Sequence, residues 1–376
     1  LRSRWDALFD ASLPIIATLL ALIVGAVMLA FLKANPLKAY WALVVGSFGS
    51  VNAIAETLVK ATPLLLVGLG ICIAFQGNVI NIGGEGQMIV GAILGTWVGL
   101  HFHHWPGWLM ITFALTMGFI GGAIWGGIAG ALKAYFGVNE ILSTVMMNAI
   151  AVQLMNYLLR GPMIDPAQAA HASKIPQTAR LEMAYRLPRL VPTRLHLGAL
   201  IALVLAFVVY IFLWRTVWGY RIRAVGKNPH AARYGGIPVK KYVVLALLLS
   251  GAFAGLAGVI QVYGVNYRMI TDGSATGFTG GAGFNGIVAA LFGHLHPIGT
   301  IPASILFGAL LVGANKMQRV AQVPSALITA LNGLVVVFVV SSEIWRIRRQ
   351  RRRLAAQSEK DRTTDATEEG TADSTD

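Results

Sequence analysis

The chain alternates long apolar runs with short polar stretches. Asp, Glu, Lys and Arg are missing from Ala11 to Leu32, Ala61 to Gly84, Gly86 to Leu132, Ile141 to Leu159, Leu195 to Trp214, Tyr242 to Tyr267, Gly273 to Asn315 and Val320 to Ser342. Each run reaches at least about 18 residues, the length at which an α-helix spans the hydrocarbon core of a bilayer. The two longest runs exceed a single crossing, and each contains a place to turn: His101-Phe-His-His-Trp-Pro-Gly107 in one, His294-Leu-His-Pro297 in the other. Splitting them predicts an all-α, polytopic membrane protein with about ten transmembrane segments.

The loops orient these segments. Arg215 to Lys241 carries Arg215, Arg221, Arg223, Lys227, Arg233, Lys240 and Lys241 and no acid, so this loop is expected in the cytoplasm. The cluster Arg346, Arg348, Arg349, Arg351, Arg352 and Arg353 after the last span belongs there too. Four crossings separate the two, so both fall on one side, and counting back puts Arg2 and Arg4 inside as well. Both termini are therefore expected in the cytoplasm. Lys316, Arg319 and the loop from Arg160 to Arg194 go against this bias, and the five prolines of that loop make it an irregular outer cap. The resulting organisation is a cytoplasmic N-terminus (1–10), a permease domain (11–345) with an outer loop (161–194) and a cytoplasmic loop (215–241), and a basic then acidic disordered tail (346–376).

Composition sharpens the class. Only 12% of the 376 residues are charged and 56% are apolar, too little charge for the surface of a soluble globule. The net charge of +14 is not a nucleic-acid footprint, because the bases lie beside the membrane segments. The single cysteine, Cys72, sits in an apolar run, which excludes a disulfide framework and reads as core. His101, His103 and His104 lie beside Trp105 and Trp108 and read as an interfacial belt, not a metal site. The stripes Gly121 to Gly130 and Gly251 to Gly258 space small residues by four, which lets helices approach closely in lipid.

Three segments stand out. Phe75 to Ala92 gathers Asn78, Asn81, Glu85 and Gln87 among Gly77, Gly83, Gly84 and Gly86. Glycine-broken backbone at membrane depth is tolerated where it is buried in protein or lines a cavity, and an intramembrane carboxylate needs partners or water. A polar interfacial turn and a discontinuous helix lining a solute pathway both fit this segment. Gly277 to Gly286 has five glycines in ten residues, with Phe284 and Asn285 near the start of a half-helix or re-entrant piece at Gly280 to Gly293. In the basic loop, Asn228 is an N-cap, Pro229 suits the first helical position and Gly235-Gly236 is a stop, predicting a two-turn helix that either meets lipid headgroups or transmits force from a soluble motor. Glu140 after Asn139 reads as a helix start, Asn148 in the next span as an amide able to bond across helices or to a solute, and Asp272 as a turn former.

Together these segments resemble the permease subunits of ATP-binding-cassette importers, in the division handling branched-chain amino acids, simple sugars and nucleosides. Asn81-Ile-Gly-Gly-Glu-Gly-Gln87 is similar to the signature of the sugar and nucleoside branch. Ala224-Val-Gly-Lys-Asn-Pro-His-Ala-Ala-Arg-Tyr-Gly-Gly-Ile237 resembles its coupling segment, and Gly283-Phe-Asn-Gly-Ile287 with Ala289 to Gly293 its late glycine-rich element. Asn139 to Asn148 is a further match. His230 departs from the pattern, standing where such importers often have Glu before Ala231, Ala232 and Gly236.

The resemblance implies import of nucleosides or simple sugars, with ATP and Mg held by a separate ATPase subunit. No Gly-x-x-x-x-Gly-Lys-Ser/Thr phosphate loop occurs here, and no bound cofactor or metal is expected. It also implies a second permease subunit, identical or homologous, an external solute-binding protein or lipoprotein, and residence in the cell membrane. Phe75, Asn78, Asn81, Glu85, Gln87, Asn148, Phe284 and Asn285 are the expected solute pathway. Arg223, Asn228, Pro229, His230, Ala231, Ala232, Arg233 and Gly236 are the expected ATPase contact. The alternatives are a branched-chain amino acid permease, whose charged solute would need more partners than Glu85, and an ion-coupled transporter, which would need more intramembrane acids or histidines.

Overall fold

The computed structural model describes residues 4–31, 33–102, 104–169 and 175–322, with single positions between 330 and 341; in the first helix, side chains are described at Ile16 and from Leu19 onward. Most of the last span, the arginine cluster, the acidic tail and His103 lie outside the described residues. The chain forms two compact units, one of residues 1–36 and 323–376, the other of residues 37–322. In the first, α1 (Arg4–Phe31) is an apolar helix. The second holds α2 (Pro36–Phe48), α3 (Val51–Gln76), α4 (Gly84–His101), α5 (Gly107–Phe136), α6 (Glu140–Arg160), α7 (Pro166–Ala169), α8 (Leu197–Arg215), α9 (Val217–Lys227), α10 (Pro229–Tyr234), α11 (Val239–Gln261), α12 (Ala275–Thr279), α13 (Ala282–Phe292) and α14 (Pro297–Ala321).

The architecture is all-helical among the described residues apart from two isolated bridges, Gln177 with Ile270 and Arg189 with His196. Six helices, α3, α5, α6, α8, the α11 segment and α14, are long and apolar enough to cross a membrane. They are not equivalent. The most apolar stretches of α3 and α11 are 83% and 72% buried, whereas those of α5, α6 and α8 are 28–33% buried. The first pair is the bundle's centre, and the rest show apolar side chains to lipid. The centre is built on small residues, as the stripes predict: α5 crosses α11 so closely that a Cβ on Gly122 would run into the Gly251 carbonyl, and one on Gly255 into that of Gly118. Cys72 is fully buried beside Thr300.

The ends of the bundle differ. At one, residues 176–187 form the cap, with Thr178 N–H donating to Met269 O, Leu181 N–H to Tyr267 O and Leu187 N–H to Tyr263 O. The cap thus rests on the π-helical turn Val262–Asn266 that ends α11. At the other end lie α9 and α10.

At the start of the second unit two elements depart from the sequence reading. α2 was not expected; its stretch lacks charge beyond Lys38, but Gly49 and Ser50 stop it at 13 residues. α3 starts ten residues before the predicted span, because Glu56 and Lys60, which bounded the apolar run, lie on its partly exposed face. Ser50 caps it, accepting from Ala53 N–H at 3.1 Å.

Candidate functional site

The glycine-rich loop 77–83 returns the chain into the bundle after α3, and Asn78 takes a left-handed φ of 56° there. Its polar residues fasten it. Asn81 Nδ2 donates to Gln87 Oε1 at 2.9 Å and to Ser250 Oγ at 2.8 Å, while Asn81 Oδ1 accepts from Gln87 Nε2 at 3.1 Å and from Gly83 N–H at 2.8 Å. Across α6, Asn148 Nδ2 donates to Ile82 O at 3.0 Å and its Oδ1 accepts from Gly86 N–H at 2.8 Å. A reciprocal side-chain amide pair and a bidentate Asn thus satisfy backbone that a membrane interior would otherwise leave unpaired. Three predicted pathway residues, Asn81, Gln87 and Asn148, are brought together here, and all three are buried with their amides engaged by protein.

Glu85, in the first turn of α4, is 1% exposed and serves a different helix. α12 begins at the cap end, where Thr271 N–H bonds Pro176 O and Thr271 Oγ1 donates to Asn156 Oδ1. α13 ends at the opposite side, where His296 meets Trp214 and Tyr210 and Thr300 meets Cys72. The two short helices therefore traverse the bundle in series, broken at Gly280 and Gly281, whose φ of 63° and 75° suit glycine. Gly281, at the N-cap of α13, has no side chain to cap with. Glu85 does it from outside: Oε1 accepts from Phe284 N–H at 3.2 Å, and Oε2 accepts from the Thr279 hydroxyl at the end of α12. A carboxylate at a helix N-terminus is favoured by the exposed amides and the helix dipole together.

Phe284 follows on the first turn of α13 and is 48% exposed, with Asn285 half-buried beside it. Phe75, near the end of α3, is half-buried, and Asn78 is exposed on the loop that follows. The predicted pathway thus divides into an engaged cluster and a set with open surface, Phe284, Asn285, Phe75 and Asn78.

The capped helix of the basic loop forms as the sequence predicts. Asn228 Oδ1 accepts from His230 N–H and Ala231 N–H, each at 3.0 Å, Pro229 opens α10, and Gly235 with Gly236 at φ 76° ends it. His230, Ala231, Arg233 and Tyr234 are exposed and Ala232 packs inward. Arg223 is placed differently: its Nε donates to Leu213 O at 2.9 Å and its guanidinium lies over Trp214, so it braces α9 on α8. α9 was not anticipated, because the basic side chains on its outer face hid the buried Gly219, Ile222 and Val225.

Sequence reasoning missed Ser250, Thr279 and Tyr234. Ser250 was visible as the one serine or threonine between Tyr242 and Tyr267, Thr279 as the residue before the Gly280-Gly281 break, and Tyr234, 96% exposed, as an aromatic beside the helix stop. Glu140 and Asp272 behave as read. Asn139 caps α6 while Glu140 pairs with Lys133 at 2.7 Å, and Asp272 accepts from Ser274 N–H and hydroxyl at 2.9 and 2.8 Å, which holds its carboxyl below the usual range.

Two short helices broken at Gly280-Gly281 and capped by a carboxylate from a neighbouring helix, with a capped surface helix at one end, suit transport and form no catalytic constellation among the described residues. The family described as "Branched-chain amino acid transport system / permease component" matches residues 53–340. The chain belongs to this permease family. Among relatives of the permease, the guanosine ABC transporter permease protein NupP of Bacillus subtilis is 36% identical over 88% of this chain and 92% of its own length. The glucose ABC transporter permease protein TsgB13 of Haloferax volcanii is 33% identical over 89% and 88%, and the nucleoside ABC transporter permease protein NupB of Lactococcus lactis 29% over 87% and 89%. No solved structure matches. The permease is accordingly a multi-pass protein of the cell membrane, and a transport component rather than an enzyme.

Proposed function

We propose that the permease carries nucleosides inward, driven by ATP and Mg held on a separate ATPase subunit that docks at α10 through Asn228, Pro229, His230, Ala231, Ala232, Arg233 and Gly236. The observation that carries this reading is the 36% identity to the guanosine permease over nearly the whole of both chains. The exposed ring of Phe284 beside Asn285 supports it: an aromatic face stacks on a base and an amide bonds its edge, and neither demands a charged solute. A simple sugar is the second reading, favoured by the 33% identity to the glucose permease.

Its further terms are ten crossings with both termini in the cytoplasm, a second permease subunit, identical or homologous, and an external solute-binding protein delivering solute to the cap. In this topology α4 and the α12–α13 pair each count as one crossing. The test is uptake of labelled guanosine and glucose into proteoliposomes holding the permease with its ATPase and solute-binding protein. Guanosine uptake that needs ATP supports the proposal; uptake of glucose alone selects the second reading, and uptake that follows an ion gradient without ATP rejects both.

A further inference from the structure

α2 packs through small residues and leaves an apolar stripe outside. Ala39, Ala42, Gly46 and Ser47 are buried, Gly46 lies against Gly313 and Lys316 of α14, and Ser47 Oγ donates to Ala309 O at 2.5 Å. Leu37, Trp41, Val44 and Phe48 recur on one face and are 82%, 70%, 48% and 50% exposed. A 13-residue helix with such a stripe is too short to span and is of the kind that lies at the membrane interface, Trp41 at headgroup level.

Where α2 turns into α3, the chain and α14 enclose a cleft of about 590 Å³ whose polar lining includes Asn52, Glu56, Lys60, Asn315, Lys316 and Arg319. Its charge is unbalanced. Glu56, its one acid, is taken by Arg194 of the cap at 3.1 Å, while Lys60, Lys316 and Arg319 make no ion pair among the described residues. Lys60 and Lys316 are half-buried, and Lys60 stands nine residues into an apolar helix, where an ammonium without a counter-charge is costly. Uncompensated cations lining a cavity beside a lipid-facing apolar stripe have one complementary occupant class: an anion whose attached chains continue along the stripe.

We infer that this cleft binds the phosphate headgroup of an anionic phospholipid, with its acyl chains against Leu37, Trp41, Val44 and Phe48. The ammonium groups and the Arg319 guanidinium supply donors to the phosphate oxygens, and Asn52 and Asn315 can bond the glycerol hydroxyls. Binding at this corner ties α2, α3 and α14 together and buffers the positive charge that Lys316 and Arg319 bring to the cap end. The leaflet involved follows from the topology proposed above, whereas the site itself does not depend on it or on the solute.

The test is native mass spectrometry of the full-length permease with equimolar phosphatidylglycerol and phosphatidylcholine, alone and with excess inorganic phosphate. The expected result is preferential retention of phosphatidylglycerol, roughly a hundredfold for three cations in contact, falling roughly fivefold with each of Lys60→Gln, Lys316→Gln and Arg319→Gln. Because Lys60→Gln sits within the bundle, the exposed-side pair Lys316→Gln/Arg319→Gln is the second variant, and its melting temperature in phosphatidylcholine is expected to equal that of the wild type. Equal retention of both lipids, or retention unchanged in that pair, overturns the inference. Displacement of the lipid by phosphate alone also overturns it, in favour of a soluble anion. A failure of nucleoside uptake leaves these readouts unaffected.

Discussion

Replacing Glu85 separates its hydrogen-bonding role from its charge. In Glu85→Ala, Phe284 N–H loses its acceptor, and so does the Gly283 amide that also faces the carboxylate, at a helix start where Gly281 provides no cap. Thr279 is less affected, since its hydroxyl turns to Ala275 O at 3.0 Å. Each buried amide left unpaired costs about 1–3 kcal/mol, so the variant should lose about 2–5 kcal/mol at the α12–α13 junction. Glu85→Gln keeps an oxygen for Phe284 N–H and an amide for Thr279, and forfeits only the attraction between a carboxylate and a helix N-terminus, about 1 kcal/mol. The single buried thiol makes this measurable: Cys72 lies against Thr300 at the base of α14, so the rate at which a maleimide labels it reports opening of this region. Labelling should rise roughly 30-fold or more in Glu85→Ala and less than roughly tenfold in Glu85→Gln. If alanine labels no faster than wild type, or glutamine as fast as alanine, the carboxylate is not the cap of α13. Guanosine uptake lost in Glu85→Gln with labelling unchanged would instead give the charge a part in the transport cycle.

Other substitutions test other joints. Asn81→Ala should destabilise by about 2–4 kcal/mol, because it strips partners from Gln87, Ser250 and Gly83 at once; chemical unfolding of the detergent-solubilised protein checks this. Gly122→Val forces apart α5 and α11 where a Cβ already meets Gly251 O, and should cost at least about 1–3 kcal/mol, read as a lowered melting temperature. Asn228→Ala removes the cap of a six-residue helix, worth about 1 kcal/mol; solute-stimulated ATPase of the assembled transporter should fall while the melting temperature of the permease stays put, and Asn228→Asp should restore it. Asp272, held below its ordinary value of 3.8 by Ser274, contributes stability above that pH and loses it as pH falls through the depressed value, so Asp272→Asn and wild type should differ in labelling at pH 5 to 8 and converge only well below pH 4.

The parts of the fold that were legible in the sequence are those set by local chemistry. The cap and stop of α10 are written in Asn228-Pro229 and Gly235-Gly236, and the small-residue stripes of α5 and α11 announce a close crossing even though their pairing is not stated. What the sequence left hidden is pairing at a distance. Asn81 and Asn148 look like donors waiting for a solute because Ser250, Ile82 and Gly86 reach them only when α4, α6 and α11 assemble, and the pairing of Asn81 with Gln87, although only six residues apart, depends on the fold of the loop between them. Glu85 was expected to need partners or water, and its partners, the Thr279 hydroxyl and the Phe284 amide, reach it only when α12 and α13 pack against α4. α2 and the early start of α3 were lost to another limit: Glu56 and Lys60 interrupted the hydropathy run, although one is paired with Arg194 and the other opens into a cleft.

These long-range pairings also connect the two ends of the site. α9 follows α8 and precedes α10, and its Gly226 sits so close to the end of α3 that a Cβ there would strike the Gln76 carbonyl. The loop that follows Gln76 is the one Asn81 and Asn148 pin to α4, and the first turn of α4 carries Glu85, which holds both α12 and α13. If a partner docked at α10, as proposed above, displaces it, the close approach at Gly226 and then the amide cluster link that helix to a junction of left-handed glycines. The first links are close-packed or fully hydrogen-bonded, whereas the last is a place where two short helices meet at two left-handed glycines without a continuous hydrogen-bond ladder. Motion entering at the surface helix should accordingly appear at Gly280-Gly281, beside the exposed face of Phe284, and not in the packed glycine crossing of α5 and α11.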